Sequence, residues 1–157
     1  MTQTVLLAQE ADFALGSWGD LFFILWKKNT TLEGAKAVRT HLLEFTRARP
    51  AGVGLLTIVE ANAPVPAADV RKALAAVLAD FSRSIKASAV IFEGQGFSAA
   101  AVRSVVTGLT LIARQSYPHK VFGSLAEASA WMLPQLPRPV TAGELATAVA
   151  SLRTQAV

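Results

Sequence analysis

The stretch ASAVIFEGQGFSAAAVRSVVTGLTLIAR, Ala87–Arg114, decides how this chain is read. Its first part, Ala89–Phe92, is an unbroken apolar run, which suits a strand covered on both faces better than one with a wet face. Glu93, Gly94, Gln95 and Gly96 then form a glycine turn, and a helix opens at Ser98. That helix carries Val102, Val105, Val106, Leu109 and Ile112 on one stripe, at helical spacing. Strand, turn and amphipathic helix make one α/β unit, and the remaining segments read as layers around it.

Upstream, residues 1–10 form a leader, in which Val5–Leu7 either adds to the first strand or stays loose. Phe13–Trp18 and Leu21–Trp26 read as a hairpin, with Gly19 at the first central position of a type II′ turn. Thr30 and Glu33 have capping-box spacing. The helix behind them places Ala35, Val38, Leu42 and Phe45 on one side and ends near Arg49, ahead of Pro50 and Gly52. Leu55–Val59 is the next strand, followed by the loop Glu60–Pro66. The second helix repeats Val70, Leu74, Val77, Leu78, Phe81 and Ile85 at 3.6 spacing, with Pro66 near its first turn.

Downstream of the central unit, Lys120–Gly123 is a short strand. Ser124 and Glu127 make a second capping box, opening a helix that ends at Leu133 before Pro134. Residues 134–140 are a proline-rich connector. Thr141 and Glu144 cap a last helix, 141–157, with Leu145, Val149 and Leu152 on one face. The order β-β-α-β-α-β-α-β-α plus a C-terminal helix implies one α/β domain over residues 11–133. Its core is a single mixed sheet of about five strands, with right-handed crossovers.

At 157 residues, 52% hydrophobic and 17% charged, the chain is long and apolar enough to bury one substantial core. The mean hydropathy of +0.41 raises the question of a membrane span. However, no window reaches the roughly 18 consecutive apolar residues a span needs. The richest window, Ala99–Ala113, is broken by Arg103, Ser104, Thr107 and Thr110, so no membrane insertion is expected. No secretory signal is visible, and the expected compartment is the cytoplasm. The chain has no cysteine, which removes disulfides, thiol nucleophiles and cysteine-bound metal. The net charge of +4 is spread over scattered bases with no aromatic interleaving, so no nucleic-acid partner is expected.

The hairpin, the helix from Thr30, the strand Leu55–Val59, the second helix, the strand Ala89–Phe92 with its helix, and the short strand before Ser124 together resemble a known family. It is the STAS domain of SpoIIAA-like anti-sigma-factor antagonists and of the cytoplasmic tails of sulphate transporters. The likeness covers about Ala11 to Leu133 and includes the texture of Phe92-Glu93-Gly94 and the Ser124–Trp131 helix. The resemblance implies a STAS-like fold and a non-catalytic, regulatory protein-binding role in signal transduction. In the family's antagonists, docking is controlled by a phosphorylated serine or threonine at the start of the helix after the third strand. Here that stretch, Glu60–Asp69, holds no serine, threonine or tyrosine, so the phospho-switch does not carry over.

The residues themselves give few chemical candidates. Gly94, Gly96 and Ala99 match a relaxed dinucleotide fingerprint, but the following strand, Lys120–Gly123, ends without the acid that would hold a ribose. A tight turn with Ser98 as N-cap is the preferred reading. Glu60 and Glu93 both follow strands, which places them at one sheet end if those strands are parallel neighbours, as an acid/base pair, a weak metal site or, the preferred reading, simple loop polarity. His41 and His119 have no nucleophile motif beside them, and the pattern G-x-S-x-G is absent. Trp18, Trp26 and Trp131 read as core. The expectation is therefore no catalytic residue, no metal set and no cofactor. The expected interaction surface comprises Glu60, Asn62, Asp69, Glu93, Gln95 and Ser98. It would meet a protein partner or a second copy in a homodimer. The alternative is a small-ligand or lipid-binding module using the same end, Glu60–Asp69 and Glu93–Ser98. The C-terminal helix either docks on its own domain or pairs with another copy.

Overall fold

The computed structural model describes residues 3–61, 63–93 and 116–156. The central strand is β5, Ile85–Phe92, in which every residue but Lys86 is buried. It lies in a six-stranded sheet with β1 (Val5–Gln9), β2 (Phe13–Trp18), β3 (Leu21–Trp26), β4 (Val53–Val59) and β6 (His119–Phe122), in the spatial order β1 to β6. The first three strands pair antiparallel, and β3 to β6 run parallel. The sheet thus has one strand more than expected. Val5–Gln9 is an edge strand whose side chains are only half-buried or exposed, so its burial pattern lacks the apolar alternation that marks a strand.

Among the described residues four helices cover the sheet: α1 (Leu32–Arg47), α2 (Ala68–Asp80), α3 (Leu125–Met132) and α4 (Ala142–Gln155). Because strand side chains alternate, each strand feeds two cores. Phe22, Ile24, Leu55, Val90 and Phe92 pack with Val38, Leu42 and Val77 under α1 and α2. Phe23, Leu25, Leu56, Ile58 and Ile91 pack with Met132, Leu145 and Leu152 under α3 and α4. This double coverage is why the strands read as apolar runs rather than alternating ones.

Several boundaries shift. The first helix is capped by Thr31, whose Oγ1 accepts from Gly34 N at 3.0 Å, rather than by Thr30. Gly34 sets that register: a Cβ there would lie 2.5 Å from a Trp26 ring carbon, so only glycine lets α1 approach β3 this closely. The second helix stops at Asp80, and Ile85, which continues its apolar spacing, is instead the first residue of β5, opposite Val53. Ser82, Arg83 and Ser84 make the turn between them. Leu133–Gln135 is a short 3-10 turn containing Pro134. Ser124 accepts from Glu127 N, and the full capping box at Thr141 and Glu144 is present. Trp18 and Trp26 are core, and Trp131 tilts against Phe122 with ring centroids 5.4 Å apart. The turn and helix expected at residues 94–114 lie outside the described residues.

α4 docks on its own sheet. Leu145, Ala148, Val149 and Leu152 are buried in the second core. Leu152 sits over Gly16 of β2, where a Cβ would come within 2.6 Å of its Cδ1. Thr4 Oγ1 donates to the Ala148 carbonyl at 3.0 Å, tying β1 to the same helix. The connector is fixed by Arg138, which grips the Asp20 carboxylate with two hydrogen bonds of 2.7 and 2.8 Å. Among the described residues no helix is long and apolar enough to cross a membrane.

Candidate functional site

The parallel register aligns Trp26, Val59 and Phe92 across β3, β4 and β5. The ladder runs one step further, with Glu60 N donating to the Trp26 carbonyl at 3.1 Å and Glu93 N to the Val59 carbonyl at 3.3 Å. Glu60 and Glu93 therefore end neighbouring strands at the same level. Ile58 and Ile91, two residues back, belong to the second core, so strand parity aims both carboxylates toward the α4 side.

Arg153, in the last turn of α4, meets them there. Its Nη1 donates to Glu60 Oε1 at 2.7 Å and its Nη2 donates to Glu93 Oε1. Burial works to lower the Arg153 guanidinium, but the bond to Glu93 and the charge of Glu60 outweigh it and hold it above its ordinary value. All three side chains are about one-third exposed. The structure thus joins the two acids highlighted in the sequence, but through a guanidinium that each already accepts from. A general base needs an acceptor free to take a proton from substrate. Here one oxygen of each carboxylate, Oε1, is engaged inside the chain.

The loop after β4 lies at the same sheet end. Ala63 N bonds back to the Glu60 carbonyl at 3.1 Å, and Arg71 Nη1 to the Pro66 carbonyl at 3.2 Å, which fixes both ends of the loop. Between them Val65, flanked by Pro64 and Pro66, is 43% exposed. The N-cap of α2 is Ala67, which offers no side-chain cap, and the Asp69 carboxylate accepts from its neighbour's amide, Val70 N, at 2.9 Å. Asp69 thus sits in the exposed first turn of α2, while Glu60 and Glu93 face α4. Asn62, Gln95 and Ser98 lie outside the described residues.

Sequence reasoning missed a third feature, on the α1/α2 side. His119 on β6 pairs in register with Ser88 on β5, and its Nδ1 lies 2.9 Å from the Ser88 hydroxyl. Its Nε2 is shielded from solvent and, among the described residues, has no hydrogen-bond partner. Burial pushes the imidazole down to about 4, so it is neutral near pH 7. Both groups line a cavity of about 80 Å³. Parity again offered a signal: His119 and Ser88 share a sheet face with Val90 and Val121, an odd place for two polar groups. Among the described residues no three His, Asp or Glu side chains gather as a metal set would.

Compared with protein-family models, with curated proteins and with solved structures, the chain gives no match in any of the three.

Proposed function

We propose that this chain is a non-catalytic protein-interaction domain of STAS-like type, working in a regulatory pathway without a phospho-acceptor. It docks through the loop after β4 and the first turn of α2. Its support is partly architectural: the described elements keep the order on which the STAS resemblance rests, a hairpin followed by parallel strands with helices between them.

The observation that carries the reading is the loop itself. Val65 is held out between two prolines, whose fixed φ lowers the entropy lost on binding. Leu32, 38% exposed at the start of α1, follows the neighbouring strand at the same end. Apolar side chains on braced loops, rimmed by Asp69, are what a docking partner needs to bury. Glu60 and Glu93 each accept a hydrogen bond from Arg153, so the groups proposed to meet the partner are Val65, Leu32 and Asp69.

The test uses the intact chain as bait, with Val65→Asp and Asp69→Lys as loop variants. Arg83→Glu, in the turn at the other sheet end, is the control. The expected result is a partner, or a second copy seen by light scattering, that the control retains and the loop variants lose. Capture or self-association that both loop variants keep at full strength would overturn the reading, as would the absence of either.

A further inference from the structure

A cavity of about 80 Å³ lies between the sheet and helices α1 and α2. Its walls are Ile24, Leu55, Val90, Val38, Leu74 and Val77. Half-buried Thr30 and Pro66 and exposed Pro64 form its rim, so it opens beneath the loop after β4. Along β5 the lining runs from Phe92 near the rim to Ser88, which is level with His119. Those two rows are four positions apart along the strand, roughly 13 Å at the rise of a β-strand. The small volume and this length describe a narrow slot, open at its rim so that the far end of a longer occupant stays outside it.

The polar groups are few and convergent. Thr57, Ser88 and His119 lie on one sheet face among aliphatic neighbours. His119 Nε2 is buried without a partner among the described residues. A buried polar atom left unpaired is costly, so an occupant that pairs it recovers a substantial gain. Apart from the neutral His119, no ionisable side chain lines the slot among the described residues, so none of these would compensate a charged occupant for its lost hydration.

We propose that this slot binds one slender, uncharged molecule, apolar along its length and ending in a single hydroxyl or carbonyl that pairs with His119 Nε2. This is a function additional to partner docking. Val65 does not line the slot, so the two are separable.

The probe is 1-hexanol, titrated into the full chain. Binding is followed by calorimetry and by the nitrogen shifts of His119 and of the Trp26 indole, which also lines the slot. Saturable binding with a shift at His119 Nε2 is expected. His119→Phe, which keeps a ring but removes the hydrogen-bonding nitrogen, weakens it about tenfold. Leu74→Trp, filling the slot from α2, removes it, and Val65→Asp leaves it unchanged. Hexanoate, the same chain with a charge, binds at least about tenfold more weakly. Absence of saturable binding to the wild-type chain, with water alone filling the slot, would overturn the proposal. So would an affinity that neither His119→Phe nor Leu74→Trp alters.

Discussion

At the scale of single residues, two helical glycines separate packing from propensity. Replacing glycine by alanine inside a helix gains up to about 1 kcal/mol. Overpacking a filled site costs about 1–3 kcal/mol. At Gly34 a new Cβ would lie 2.5 and 2.6 Å from two Trp26 ring atoms and 3.2 Å from Phe13, neither of which can yield freely in a filled core. At Gly143 the nearest atom is 4.0 Å away. Gly34→Ala is therefore expected to lower the urea midpoint, and Gly143→Ala to leave it unchanged or raise it slightly.

His119 supplies the residue-scale pH dependence. Its folded-state value of about 4 lies below the ordinary 6.5 because burial disfavours the charged form. As pH falls, the unfolded chain takes that proton first. His119 therefore has no effect on stability above about pH 6.5 and lowers it through the window from 6.5 to about 4, with no further loss below. The slope within the window approaches about 1.4 kcal/mol per pH unit. Asp20, held below its usual 3.8 by the hydrogen bond from Arg138 against the opposing effect of burial, acts only under that window. Urea denaturation at pH 7 and pH 5 is expected to show the loss in the wild-type chain and a reduced loss in His119→Phe.

At the scale of elements, the arrangement turns on α4. Its start was legible, because Thr141 and Glu144 form the reciprocal cap that their spacing announces. Its destination was not, because the same apolar stripe suits a sheet face and a second copy equally. The deciding features are the bare backbone of Gly16 beneath Leu152 and the reach of Arg153, both dependent on tertiary placement. The pairing of Glu60 with Glu93 was legible from two strands ending in glutamate, while the cation between them, 93 residues from one and 60 from the other, was not. Arg153→Ala leaves two carboxylates on adjacent strand ends. Because the groups are about one-third exposed, the cost is about 1 kcal/mol at low salt and shrinks as salt rises. In Arg153→Ala/Glu93→Gln part of that loss is expected to return. A double-mutant cycle in low and high salt checks both signs.

For the whole molecule, apolar runs such as Leu21–Trp26 and Ala89–Phe92 announced a sheet covered on both sides, and the two cores meet that expectation. The edge strand β1 was left open, Val5–Leu7 either adding to the first strand or staying loose, because a half-exposed edge need not carry a strong pattern. The slot at His119 escaped because a lone histidine acquires its meaning only from the strand beside it, where Ser88 is fully buried. α4 covers the second face of the sheet, and its Arg153 engages both carboxylates.

The most direct test is an isotope-filtered nuclear Overhauser experiment on a mixture of labelled and unlabelled chains, observing the Leu152 methyl groups against the Gly16 α-protons. Contacts confined within one chain are predicted. Contacts seen only between differently labelled chains, or no contact at all, would contradict the account.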